Sequence, residues 1–380
     1  MTTRVIAVSD FCDPTPPHES VLTRDMARAF WQTSPMPPPG PRPSVVGGYL
    51  ERLPLACVAA GLVDRAEVWR FAGDDAHHDP LGVPGPEGLI YRTLRADGHA
   101  APYGSADALA HIEVHGAPKI LCVWGLGVDE ALVRACADSV IVYNSIDAPA
   151  LRLPAEVSRH VDLFLAGAEW QSDEIRARHP DALCAVLPIG PEFASDETFF
   201  PTGAPKEYDV VYVAATQPYK RHDLLLDALS QLPGRRALCV VGYGHMTEEL
   251  RAEADRRGLQ VDWVGPVNHR EVNTLINRAR VGVVCGVDDG APAILTEYML
   301  AGLPVLANAG LVCGRQYIRP DTGLLASEVD FAKALDRLIE TAASYDPRPV
   351  VQRNWTWPHS VDRLASLLDH ARQRKNEVFV

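Results

Sequence analysis

Asp289 and Glu297 stand eight positions apart in the most chemically suggestive stretch of this chain, Asp288 to Ala307. The apolar run Val281 to Cys285 reads as a buried strand that leads into a short acidic loop. Pro292 then opens a helix, at the position where a missing N–H costs nothing. Gly302 ends that helix, and Pro304 to Ala307 reads as the next strand. This places Asp289 just before a helix and Glu297 in its second turn, at the carboxyl edge of a parallel sheet. Open α/β sheets bind ligands at that edge. The free N–H groups of the helix start, near Ala293 and Ile294, suit a phosphate. Two carboxylates beside an anion site call for a ligand rich in hydroxyls that also carries phosphate, and a nucleotide sugar meets both needs.

Other residues add to this picture. Lys220 and Arg221 follow a strand and open a helix, where the macrodipole disfavours cations, so a bound anion would explain them; a solvated basic pair is the alternative. Gly47-Gly48 precedes a helix and would let backbone approach a phosphate, although such pairs are also common in turns. Asn144 and Asp147 follow a strand that ends at the same kind of edge. Asp147 is open between binding acceptor hydroxyls or acting as a base and capping a helix. Gly242-Tyr243-Gly244 lacks the third glycine of a dinucleotide fingerprint. His77-His78, near Asp74, Asp75 and Asp79, reads as an exposed loop, because adjacent histidines seldom converge on one ion.

Asp289 to Val305 resembles the E-x7-E signature of retaining glycosyltransferases of the GT-B fold, family 4, whose form is E-G-F-G-x-x-x-x-E-A-M-A-x-G-x-P-V. Asp289 and Glu297 fill the acid positions, and Met299, Gly302, Pro304 and Val305 fall in register. Aspartate at the first acid and Pro292 for glycine are departures. The segment around Lys220 resembles the family element G-R-x-x-x-x-x-K-G-x-x-x-L-L-x-A, whose Arg and Lys hold the donor diphosphate. Lys220 matches the Lys. Ala214, Ala215 and Thr216 stand near the place of the Arg, and Arg221 is the candidate stand-in. Pro188 to Pro201 resembles the family's inter-domain passage, P-x-G-x-D-x-x-x-F-x-P. Many relatives carry a histidine near Asn144 that contacts the transferred sugar, and this chain has none there.

The resemblance implies two facing Rossmann-like domains with a cleft between them. Residues 1–195 would bind acceptor and 196–358 the nucleotide sugar, while 359–380 would form a helix packing back on the first domain. It implies that Asp289 holds sugar hydroxyls, Glu297 the ribose hydroxyls, and Lys220 the diphosphate. Gly47-Gly48 would lie against the donor phosphates, Gly242 near the nucleotide, and the backbone at Val267 against the base. The expected activity is sugar transfer with retained configuration, with the nucleotide sugar as co-substrate and neither metal nor other cofactor. A nucleotide-sugar epimerase or hydrolase on the same fold, and a catalytically silent nucleotide-sugar sensor, are the alternatives. An oxidoreductase is weaker, for want of the fingerprint.

The elements that must position these residues are legible in outline. A chain of 380 residues suffices for two domains, each with its own core. At 47% hydrophobic and 22% charged the composition is that of an ordinary globular protein. A net charge of −13 argues against an extended nucleic-acid surface or a strong hold on anionic lipid, and favours a small soluble acceptor such as a specialised metabolite. The eight cysteines show no Cys-x-x-Cys spacing, no leader is apparent, and no apolar run is long enough to span a bilayer, so reduced cytoplasm is expected. Val5–Val8, Val68–Phe71, Ile120–Trp124, Val140–Tyr143 and Leu163–Ala166 read as strands and Tyr49–Ala60 as a helix. From Val210 onward strands and helices alternate, which implies a parallel sheet. Residues 11–46 and 72–110 read as irregular and suited to shaping acceptor choice. Ser360 to Arg374 reads as a closing amphipathic helix.

Overall fold

Short apolar runs alternate with stretches of helical spacing, and the chain resolves them into two parallel sheets, each the centre of its own unit. The computed structural model describes residues 2–12, 23–37, 42–73, 77–85, 88–98, 100–145 and 147–378. One unit comprises Met1–Ile189 with Ser360–Val380, and the other Gly190–His359.

The first unit holds β1 (Arg4–Cys12), β2 (Arg65–Ala72), β3 (Asp79–Pro84), β4 (Ile90–Arg95), β5 (Ile120–Trp124), β6 (Val140–Asn144), β7 (Leu163–Ala166) and β8 (Cys184–Val186). Their order is β3-β4-β2-β1-β5-β6-β7-β8, parallel throughout except for β3, which runs antiparallel along β4. Val5 to Val8 in β1 and all of β5, β6 and β7 are buried, as strands covered on both faces must be, hence their unbroken apolar sequence. The final helix, Trp357–Val378, crosses from the second unit and finishes the first. It buries Val361, Leu364, Leu368 and Ala371. Lys375 in its last turns donates to the Ser139 carbonyl (2.7 Å) and to Asp162 (2.8 Å), and Arg363 donates to the Val186 carbonyl (3.0 Å).

Two stretches expected to be irregular contain regular structure. Within 11–46 lies a helix, Arg24–Thr33, capped by the Thr23 hydroxyl. It buries Ala27 and Trp31, whose indole N–H donates to Asp107 (2.8 Å). Within 72–110 lie β3, β4 and the start of the helix Ala106–His115, capped by Ser105. The strand pattern of β4 is hidden because an inward position is filled by Arg92, which pairs with the buried Glu67 at 2.6 Å. Pro38, Pro39, Pro41, Asp74 and Asp75 lie outside the described residues.

The second unit holds β9 (Tyr208–Val213), β10 (Arg236–Val240), β11 (Gln260–Val264), β12 (Ala279–Val284), β13 (Val305–Asn308) and β14 (Gly323–Ala326). All pair in parallel, in the order β11-β10-β9-β12-β13-β14. This is the dinucleotide-fold order, in which the direction of winding reverses between the first and fourth strands, here β9 and β12. Among the described residues no helix is long and apolar enough to cross a membrane.

Candidate active site

The loops leaving β9 and β12 flank that reversal point, where the crevice of an open α/β sheet lies. They are the two loops that carry Lys220 and Asp289. After β9 the chain makes a tight turn, Pro218–Lys220, and the buried Tyr212 hydroxyl fastens it by donating to the Lys220 carbonyl (2.5 Å). The Tyr219 carbonyl accepts from the Val287 N–H (3.2 Å) of the other loop. Gly286 permits this approach, since a Cβ there would lie 3.0 Å from the Tyr219 oxygen. With the backbones joined, the Lys220 ammonium bonds the Asp289 carboxylate directly. Both side chains are mostly withdrawn from solvent, at 16% and 9% exposure. So 69 positions of sequence separation close into one contact.

Beyond Asp289 the backbone takes an unusual course. Ala291 has φ +87°, a left-handed conformation that leads the chain past Pro292 into the helix Ile294–Leu300. That helix begins two residues after Pro292, so Glu297 falls in its first turn instead of its second. All seven of its residues are buried, Glu297 at 5% exposure. Its register is fixed from below by Tyr298, whose hydroxyl donates to the Val211 carbonyl (3.2 Å) and accepts from the Val213 N–H (2.7 Å). Thr296 adds a bond to the Pro191 carbonyl (2.7 Å). Glu297 is thereby held by the same strand, β9, that delivers Lys220.

Arg221 departs from the role of a second diphosphate cation. It stands where the resembling motif has glycine, and its φ of +53° is the left-handed conformation that glycine serves. Its guanidinium turns to Asp223 (3.0 and 3.1 Å) and Glu328 (2.7 and 3.2 Å). Hydrogen bonds to Glu328 and then to Asp223 raise its pKa further. Gly242 is exposed just past β10, with nothing near the place of a Cβ. The adjoining turn is tied to the β9 loop, because the Thr216 N–H donates to the Tyr243 carbonyl (2.8 Å). Val267 is partly buried and packs on the unit's core.

In the first unit the expected residues also gather at the carboxyl edge. Trp124 and Asn144 are register partners at the ends of β5 and β6, and Tyr49 sets its ring edge-on to Trp124 at 6.0 Å. Asn144 is 1% exposed, and neither its amide nitrogen nor its oxygen has a hydrogen-bond partner among the described residues. Asp147 pairs with Arg152 at 2.7 Å, which raises the Arg152 pKa. Gly47 has φ +88°. The Gly48 N–H donates to the Glu51 carboxylate (2.8 Å), so a phosphate at this turn must first displace an acid. Asp10, at the end of β1, went unread in the sequence. It accepts from the Leu126 N–H (2.9 Å) and lies 3.9 Å from Arg152, at this sheet's own reversal between β1 and β5. The signal was present as an acid closing the run Val5 to Asp10.

His78 turns to Asp107, 2.8 Å away, and among the described residues no group of three or more His, Cys, Asp or Glu is arranged to hold a metal.

The family comparison falls on the second unit. Residues 194–348 match the family model for glycosyl transferases group 1. No curated protein sequence matches the chain. Among solved structures it resembles sucrose-phosphate synthase from Thermosynechococcus elongatus, at 18% identity and TM-score 0.66, covering 97% of this chain and 98% of that one. It resembles Anabaena Alr3699/HepE, solved with UDP and glucose, at 14% identity and TM-score 0.63, covering 97% and 100%. The pneumococcal O-GlcNAc transferase GtfA, solved with UDP and GlcNAc, matches at 12% identity and TM-score 0.57 over 72% of this chain, which spans only 62% of the GtfA chain. The fold is that of GT-B glycosyltransferases.

Proposed function

We propose that this protein moves a sugar from a nucleotide-diphosphate sugar to a small or carbohydrate-like acceptor, with retained configuration and no metal. The Lys220–Asp289 contact at the reversal point of the second sheet carries this reading. A donor diphosphate competes with Asp289 for the ammonium. Breaking that one pair supplies a cation to the phosphates and frees a carboxylate for sugar hydroxyls. As the sugar–phosphate bond breaks, negative charge grows on the leaving diphosphate, where Lys220 stabilises it. The acceptor oxygen bonds the sugar carbon on the leaving-group face, and its proton passes to the departing phosphate oxygen. Glu297 takes the ribose hydroxyls. The match of residues 194–348, and the UDP in structures of the same fold, support the donor assignment.

The test is a thermal-shift screen of nucleoside diphosphates and nucleotide sugars on the wild type, Lys220→Ala and Glu297→Ala. A ligand that binds only the folded state raises the midpoint by mass action. A rise in the wild type that both variants lose supports the donor site, whereas no rise with any nucleotide overturns it. A silent nucleotide-sugar sensor is the second reading, favoured by the engagement of Arg221 with Asp223 and Glu328, which leaves Lys220 as the cation for the diphosphate. Donor binding without turnover across a broad acceptor panel would select it.

A further inference from the structure

The first unit contains a cavity of about 340 Å³ at the amino edge of its sheet, opposite the edge where Asp10, Asn144 and Asp147 stand. The starts of β2 and β4 supply Arg65 and Ile90, the helix Arg52–Ala59 supplies Leu55 and Val58, and Leu81 and Pro37 complete the wall. Its size is that of a small-molecule site, and its lining is mainly hydrocarbon. One group is out of keeping with that lining.

Arg65 is 6% exposed. Its guanidinium donates to the Pro37 carbonyl, while its Nε has no hydrogen-bond partner among the described residues. Among the described residues neither neighbouring acid forms an ion pair with it, although both attract it. Asp64 also lines the cavity, and one of its carboxylate oxygens accepts from the Thr3 N–H (2.7 Å) and hydroxyl (2.8 Å). The Glu67 carboxylate is taken by Arg92 (2.6 Å), the Trp69 indole (2.9 Å) and Arg4 (3.4 Å). An arginine stays protonated even when buried. A buried guanidinium with an unused donor and no ion pair is costly, so an acceptor entering the cavity would be held by it.

We propose that the cavity binds a small amphiphilic monoanion, its carboxylate on Arg65 and its hydrocarbon body against Leu55, Val58, Leu81 and Ile90. One guanidinium matches one carboxylate, whereas a phosphate dianion would need more donors than this wall offers. The site lies at the edge of the first sheet opposite Asp10, Asn144 and Asp147, so its occupant is an effector and not a substrate bound at that carboxyl edge.

The experiment is calorimetric titration of the full chain with octanoate, with octan-1-ol and inorganic phosphate as controls. Arg65→Met and Val58→Trp are titrated alongside, each checked for fold by circular dichroism. Octanoate is expected to bind saturably at one site, and loss of the charged hydrogen bond in Arg65→Met to weaken it by about tenfold or more. Octan-1-ol, which keeps the chain and lacks the charge, is expected to bind as weakly to the wild type. Val58→Trp fills the cavity, keeps Arg65 and should abolish binding. It decides the matter should Arg65→Met fail to fold. No saturable octanoate binding by the wild type, or unchanged binding by a folded variant, overturns the proposal.

Discussion

Lys220 and Asp289 answer to one another across the reversal point, and removing either leaves a mostly buried charge without its partner. Lys220→Ala is expected to lower kcat/KM by about 10²–10³, the usual cost of losing a group that stabilises developing charge. A steady-state assay with the best donor from the binding screen checks it, and a loss below threefold would place Lys220 outside the chemistry. Ala291 offers a separate test. A left-handed backbone costs a non-glycine residue about 1–2 kcal/mol, and glycine's greater freedom when unfolded costs about 0.5–1 kcal/mol. Ala291→Gly is therefore expected to hold or raise the denaturation midpoint, and a fall would show that the methyl group contributes more in packing than its conformation costs. At this scale the sequence singled out Lys220 and Asp289 separately, and the structure brings the two together. The sequence was not legible for Arg221, because only the left-handed turn and two distant carboxylates reveal where that guanidinium goes.

The helix Ile294–Leu300 holds its position through contact with strands formed far earlier in the chain. Gly282 in β12 lies directly against the Tyr298 ring, and a Cβ there would come within 2.4 Å of it. Gly282→Ala is expected to cost about 1–3 kcal/mol by overpacking, and to weaken donor binding as the helix bearing Glu297 shifts. Chemical denaturation with nucleotide titration measures both, and an unchanged midpoint would mean that the ring simply gives way. Elements whose pattern matched their burial were readable, as with β7, which spans Leu163–Ala166 as expected. Elements that bury polar groups were not. β4 carries Arg92 inward, and the helix Arg24–Thr33 lies among prolines and buries Trp31 by way of a bond to Asp107.

Among the described residues, each unit keeps one buried, uncharged histidine. His222 is 3% exposed and His111 is 0% exposed, and neither ring has a hydrogen-bond partner among the described residues. Burial pushes His222 down to about 4, and pushes His111 well below its ordinary value. A folded pKa below the unfolded one means that the unfolded chain takes up the proton first as pH falls. Stability is thus fullest above the ordinary histidine pKa of about 6.5 and declines toward pH 4. For His222 the loss amounts to about 3 kcal/mol by pH 4. His222→Phe, which keeps a ring against Tyr212 and Trp263, is expected to flatten the fall in midpoint between pH 7 and 4.5. Parallel pH profiles of wild type and variant would refute this.

The chain leaves the first unit at Ile189 and rejoins it only at Ser360. A ribosome therefore makes nearly all of that unit, then the whole of the second, before releasing the helix whose Arg363 and Lys375 fasten the β8 and β6–β7 side of the first sheet. Domains commonly fold in the order of their synthesis. Here the unit begun first is completed only after Ser360, and a nascent chain halted before that helix emerges would carry a finished second unit and an unfinished first.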